Sequence, residues 1–343
     1  MTMRVGIIGA GNISDTHARA AREIPGAEIA AVFGANKAKV EEMAGKHRAT
    51  PYLDFKAFLN HRPMEFVAIG SPSGLHAEQG IAAAQHGLHV LTEKPLDITM
   101  RSADALIAAA RHAKVKLGVF FQDRFKEDLN RVKKWMDEGI LGKPILADAR
   151  VKWYRPPEYY GDSKWRGRLA LDGGGALMNQ AIHTVDLLLW LFGDVVRVQA
   201  QKRTALHKIE AEDTLTALLE FANGATGVLE ATTSVYPGYP RRVELTGEQG
   251  TIIIEHDRLV AADLKNPPED ARGRGNDQNQ SASSAMVSDV RGHKAAMVDF
   301  MEAIETNREP RCNGEEGRRS VALVEAIYAA CDTGSRVEVS VGR

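Results

Sequence analysis

Two side chains in this sequence are placed to move a proton. Lys94 stands in "TEKPL" (92–96), directly after the apolar run "HGLHVL" and ahead of a proline that fixes the chain. In a surface loop such a lysine is merely solvated; at the end of a buried strand it can donate to a bound hydroxyl. The second is His183, in "ALMNQAIHTVDLLLWLF" (176–192). Asn179, His183 and Asp186 fall at i, i+4 and i+7, so a regular helix puts them on one face. Leu177, Ile182, Val185, Leu188 and Leu189 make the same helix oily, and polar groups there must be satisfied or functional. One reading is a core histidine bonded to Asp186. The other is a histidine whose tautomer Asp186 or Asn179 fixes, free to shuttle a proton from a substrate hydroxyl as hydride leaves.

Hydride chemistry needs a carrier, and the N-terminus supplies a candidate cradle. "VGIIGAGNIS" places Gly9, Gly11 and Ser14 in a G-x-G-x-x-(G/A/S) pattern after an apolar run and before a helical stretch. Gly9 permits the tight turn and Gly11 lets a pyrophosphate approach the backbone. The amides of Asn12 and Ile13 open the helix, where its positive dipole end favours an anion. In NAD-binding folds an acid about 20 residues on holds the ribose hydroxyls. Here "AVFGANKAK" offers Gly34, Ala35 and Asn36 with no acid, and Asn36, Lys37 or Lys39 could meet a 2′-phosphate. The cofactor is therefore expected to be NAD or NADP, with a slight lean to NADP. Methyltransferases share a glycine-rich first turn, but the missing acid and the presence of Lys94 disfavour that reading.

These residues need elements to hold them. "RVGIIG" (4–9), "AEIAAVFG" (27–34), "MEFVAIG" (64–70), "LHVLTE" (88–93) and "VKLGVFF" (115–121) are continuous apolar runs separated by Ala-rich helical stretches. That alternation predicts a parallel sheet covered on both faces, closing near residue 122. "IGSPSGLHAEQG" and "TEKPL" then lie at carboxyl ends of parallel strands, where open α/β sheets bind ligands. Ser71, Pro72, His76, Glu93 and Lys94 are expected to line the cofactor crevice. Beyond a helix near 125–138, strand-like runs follow one another with few helices between, and "EFANGATGV" carries an Asn-Gly hairpin signal. The expectation is an α/β chain of two domains: a Rossmann dinucleotide-binding domain over 1–122, and over 123–343 an α+β domain with a large, mostly antiparallel open sheet. Residues 265–284, polar and rich in Gly, Pro and Ser, read as a mobile loop.

Composition narrows the function classes. At 343 residues the chain suits two domains, and 44 basic against 45 acidic side chains give no footprint for nucleic acid or an anionic membrane. Cys312 and Cys331 lack metal-ligand spacing and read as free thiols; no metal is expected. No apolar stretch approaches the roughly 20 residues of a membrane span, and no leader pattern is evident. A cytoplasmic protein is expected.

Taken jointly, "GIIGAGNIS", "SPSGLH", "EKPL" and "GGGALMNQAIHTVDLLLW" resemble the Gfo/Idh/MocA oxidoreductases, in the right order over essentially the whole chain. The resemblance implies NAD(P)-linked oxidation or reduction of a sugar, sugar derivative or cyclitol. It also implies a C-terminal sheet that assembles a homodimer or homotetramer. It makes Lys94 the family's EKP lysine and His183 its catalytic histidine. Many members carry an aspartate four residues before that histidine; Asn179 stands here and cannot act as a base, so the proton falls to His183 and Lys94. Gln122 and Arg124 in "FFQDRF" are expected at the pocket border. In "KWYRPPEYY" and "KWRGR", Arg155, Tyr159, Trp165 and Arg166 suit sugar faces, hydroxyls or an anionic group. Two other outcomes are consistent with the motifs: a dinucleotide-binding sensor or scaffold without turnover, and a sugar–sugar oxidoreductase with a tightly held cofactor.

Overall fold

The computed structural model describes residues 2–161, 163–271 and 289–340. The chain divides into two compact units, Met1–Gln122 with Ala285–Val321, and Asp123–Ser284 with Ala322–Arg343. Residues 289–321 group with the first unit rather than with the residues that follow 122. Of the stretch read as a mobile loop, residues 272–284 lie outside the described residues.

In the first unit β1 (Met3–Ile8), α1 (Asn12–Arg22), β2 (Ala27–Phe33), α2 (Lys37–His47), β3 (Thr50–Tyr52), α3 (Phe55–Leu59), β4 (Phe66–Ile69), α4 (His76–Gln85), β5 (His89–Thr92), α5 (Met100–Ala113) and β6 (Leu117–Val119) follow in order. The strands are parallel, in the order β3-β2-β1-β4-β5-β6. This is the doubly wound dinucleotide-binding order, whose direction reverses between β1 and β4 and opens a crevice at their carboxyl ends. Central strands buried on both faces explain the unbroken apolar runs: all four residues of β4 are fully buried.

The second unit begins with α6 (Glu127–Asp137), β7 (Pro144–Lys152), α7 (Pro157–Gly161) and α8 (Leu169–Asp172). The stretch read as one helix is two: a π-helical turn over Ala176–Ala181, then α9 (Ile182–Phe192). Strands β8 (Val195–Arg203), β9 (Thr214–Phe221), β10 (Thr226–Thr232), β11 (Arg242–Gly247), β12 (Gly250–Glu255) and β13 (Arg258–Leu264) complete the sheet with β14 (Val337–Glu338). The order is β13-β12-β11-β7-β10-β9-β8-β14, and all described pairings are antiparallel except β7 with β10. Asn223–Gly224 turns the β9–β10 hairpin, with Gly224 at φ 87° and the Asn223 side chain accepting from Ala225 N–H. The π turn and α9 pack on one face of this sheet.

Helix α10 (Arg291–Glu305) packs against α1 and β5 in the first unit, and α11 (Gly314–Thr333) starts in the first unit and ends in the second. Among the described residues no helix is long and apolar enough to cross a membrane.

Candidate active site

At the end of β1 the backbone does what the glycine pattern requires. Gly9 sits at φ 108°, and a Cβ there would press on Ser14 Oγ at 2.6 Å and on the Gly70 carbonyl at 2.8 Å. Only glycine closes that turn without strain. Gly11 is different: a Cβ there would meet nothing within 4 Å. No side chain caps the first turn of α1, so the amides of Asn12 and Ile13 stay open at its positive end. The arrangement fits a dinucleotide pyrophosphate, with room above Gly11 and donors beneath. Ser14 is buried and donates to Gly70 O, so its hydroxyl serves the turn.

At the end of β2, a Cβ at Gly34 would press on Val40 and Ala10, and Asn36 caps α2 by accepting from Lys39 N–H at 3.1 Å. Lys37 and Lys39 are exposed there. After β4, Ser71 Oγ donates to Gln79 Oε1 and Pro72 precedes the turn into α4. His76 is buried, and its two ring nitrogens face the carbonyls of Pro95, at 2.8 Å, and Ser71, at 3.0 Å. It staples the loop after β4 to the loop carrying Lys94. Lys94 is half-buried at the end of β5, its peptide bond to Pro95 cis. Glu93 turns inward, 6% exposed: its Oε2 accepts from Lys94 N–H and its Oε1 lies 2.9 Å from His17 Nε2. Gln122 closes this unit, its side chain against Gly292.

In the second unit a polar set gathers around the π turn. Glu212 anchors it: Oε2 accepts from Gly175 N–H, Oε1 from Leu177 N–H and from the Tyr328 hydroxyl. Burial pushes the Glu212 carboxyl up despite those donors. Beyond the anchor, Gln180 Oε1 accepts from Arg155 Nη2, while its amide nitrogen donates to Tyr159 OH and Asn179 Oδ1. The Asn179 amide donates to buried Asp172. Arg155 lies over the rings of Trp153 and Tyr159, and Arg166 over those of Tyr159, at 4.3 Å, and Trp165. Burial lowers the Arg155 pKa.

The π turn ends before His183, so Asn179 and His183 do not share one regular helix; Asp186 does share α9 with His183 but is engaged by another partner. Asp186 is clasped by Arg124 through Nε and Nη2, at 2.9 and 2.6 Å, with both residues buried. Arg124 thus forms a buried ion pair with Asp186. The carboxylate beside His183 is Asp123, its Oδ2 3.6 Å from Nδ1. Burial alone would raise the Asp123 carboxyl; the charges of Arg241, His183 and Lys126 more than offset this and hold it well below the ordinary range. Sequence reasoning missed Asp123, Asp172 and Glu212, and in the first unit His17 and His293.

A six-stranded parallel sheet with an open glycine turn, joined to an α+β unit built on an open sheet, defines an NAD-binding oxidoreductase. Residues 3–121 match the oxidoreductase family with an NAD-binding Rossmann fold, and residues 129–253 match the GFO/IDH/MocA C-terminal domain. The chain belongs to the Gfo/Idh/MocA family. It is similar to the WlbA dehydrogenase of Bordetella pertussis, solved with NADH and UDP-GlcNAcA: 32% identity, a TM-score of 0.90, covering 99% of this chain and 98% of that one. It is also 26% identical to inositol 2-dehydrogenase of Rhizobium meliloti, over 95% of this chain and 96% of the relative. Another relative is the uncharacterized oxidoreductase YrbE of Bacillus subtilis, 26% identical over 97% and 96% of the two chains.

Proposed function

We propose that the protein transfers hydride between a nicotinamide dinucleotide and a hydroxyl-bearing carbon of a sugar, sugar derivative or cyclitol, with Lys94 and His183 handling the proton. The observation that carries this reading is the set of donors and acceptors on and around one helical segment. Asn179, Gln180, Tyr159 and Arg155 are hydrogen-bonded into one network, and His183 follows four residues after Asn179 with a carboxylate beside it. Amides, a phenol and a guanidinium beside aromatic rings suit a polyhydroxylated ligand. The relatives support the same class, through an inositol dehydrogenase and a dehydrogenase holding a nucleotide sugar.

When bound, the dinucleotide accepts or supplies the hydride. Gly9, Gly11, Asn12 and Ile13 hold its pyrophosphate, and Gly34 and Asn36 border its adenosine ribose. The loops of Ser71, Pro72 and His76 and of Glu93 and Lys94 would border its nicotinamide half. Arg155, Tyr159, Trp165, Arg166, Gln122 and Asn179 contact substrate. His183 takes the hydroxyl proton, and Asp123 beside Nδ1 stabilises the imidazolium that results. Lys94 assists that proton transfer. The first unit serves as the cofactor domain and the second as the substrate domain.

The end of β2 lacks the carboxylate that would repel a 2′-phosphate and exposes Lys37 and Lys39, which supports NADP; the solved WlbA dehydrogenase holds NADH. The open face of the eight-stranded sheet carries Leu146 and Leu218, 44% and 58% exposed, with Val228 beside them, and supports a homodimer or homotetramer through that face. A panel of sugars, cyclitols and nucleotide sugars, read by reduced-nicotinamide absorbance with NAD and NADP, tests the reaction. Turnover of at least one member is expected; none with either cofactor overturns the reading.

A further inference from the structure

Behind Lys94 lies a buried group that the proposed chemistry does not use. Glu93 is 6% exposed, and His17 and His293 are 0% and 1% exposed. They come from three separate places: the loop after β5, the middle of α1 and the start of α10. Glu93 Oε1 lies 2.9 Å from His17 Nε2 and 3.3 Å from His293 Nε2, while Oε2 accepts from the Lys94 backbone N–H at 3.2 Å. Phe120 stacks on the His17 ring at 4.4 Å and closes the side of the cluster.

The chemistry at each atom is determined by what surrounds it. His17 Nδ1 is buried with no hydrogen-bond partner. A proton there would be a buried donor without an acceptor, so His17 is neutral and its Nε2 carries the hydrogen given to Glu93. Two N–H groups thus reach Glu93, one on each oxygen, while His293 Nε2 stands 3.3 Å from Oε1 without forming a hydrogen bond. A group that accepts at both oxygens is an ionised carboxylate. His17 and His293 beside it hold the Glu93 carboxyl well below its ordinary pKa despite burial. An amide at position 93 would turn its own N–H₂ toward one of these donors.

We propose that Glu93, held by His17 and flanked by His293, is a positioning residue for Lys94: it fixes the lysine's backbone and ties it to α1, the helix that opens at the glycine turn. This inference rests on Lys94 acting in the reaction. It does not require Glu93 to touch substrate or cofactor, and its burial keeps its side chain from doing so. A lysine backbone released by a fraction of an ångström presents its ammonium badly, and misplacement on the scale of 1 Å can cost on the order of 100-fold in rate.

The test compares Glu93→Gln, His17→Leu and His17→Gln with the wild type on a substrate the wild type turns over, measuring kcat, KM and the NADH dissociation constant separately. Glu93→Gln and His17→Leu are expected to lose at least about 10-fold in kcat with NADH affinity changed less than about 3-fold. His17→Gln restores an N–H donor toward Glu93 and is expected to recover most of kcat. Exchange of the Lys94 amide, followed by hydrogen–deuterium exchange over residues 92–99, is expected to quicken in Glu93→Gln. Near-wild-type kcat in Glu93→Gln, alongside an inactive Lys94→Met, overturns this inference alone. If Lys94→Met is itself active, the functional reading fails and takes this one with it. Stoichiometric Zn²⁺ binding that disappears in His17→Leu overturns it in favour of a metal site. Should His17→Leu fail to fold, the amide exchange and kcat of Glu93→Gln still decide.

Discussion

His183 shares the carboxylate of Asp123 with Arg241: Oδ2 lies 3.6 Å from the imidazole Nδ1 and 2.5 Å from the guanidinium. The imidazole therefore sits beside a charge that is itself fixed by a buried cation. Asp257 and Lys126 extend the cluster.

Asp123→Asn removes the charge beside His183 and leaves Arg241 with less compensation. Removing one partner of a buried ion pair costs about 3–5 kcal/mol, and urea unfolding at pH 7 should show a loss of that order. The Asp123 carboxyl is depressed in the fold, below its ordinary value of 3.8. Acid then protonates the unfolded chain first, so the stabilisation is full above the ordinary carboxylate range and is lost as pH falls through and below it. The difference between wild type and Asp123→Asn should therefore narrow in acid; a difference that widens there contradicts the assignment.

Gly11→Val separates cofactor binding from folding. The space above Gly11 is empty and its φ is −101°, which any residue adopts. The variant should melt with the wild type yet bind NADH and NADPH at least about 10-fold more weakly, a loss of roughly 1.4 kcal/mol. Gly9→Ala, at φ 108° against the Gly70 carbonyl, should instead lower the melting temperature. Calorimetry and fluorescence titration of the two variants check both statements.

Ala35→Asp tests the ribose end. Placing a carboxylate on the exposed turn after β2 should weaken NADPH by about 10-fold through like-charge repulsion and leave NADH equal or tighter. A uniform loss for both cofactors would place the adenosine ribose elsewhere.

Much of the first unit was legible because parallel strands buried on both faces must be apolar throughout. The apolar runs 27–34 and 64–70 enclose β2 and β4. β3 escaped because three residues, "TPY", with a proline and little burial, carry no period. The π turn escaped for another reason. Its phase is set by Glu212, whose carboxylate is 35 residues from Leu177 in sequence, and no local pattern reports such a partner. Reading 176–192 as one helix put Asn179 in phase with His183, which the π turn breaks; Asp186 stays in α9 with His183, but Arg124, 62 residues away, claims it, and Asp123 takes its place. His293 begins a helix after a polar stretch, where nothing nearby hints that it joins Glu93.

Glu212→Ala should release the π turn. Three donors lose their acceptor, and an unmet buried donor costs about 1–3 kcal/mol, so a lowered melting temperature is expected together with a raised KM. Gly175→Ala should be worse, since its Cβ would collide with the Glu212 backbone carbonyl. A neutral Gly175→Ala would contradict the packing described.

The central claim is that Lys94 and His183 perform the proton chemistry. Lys94→Met and His183→Ala, assayed by reduced-nicotinamide absorbance on a sugar or cyclitol the wild type oxidises, test it most directly. The account predicts a loss of at least about 100-fold in kcat for each, with NADH binding intact. Wild-type turnover in either variant would contradict it.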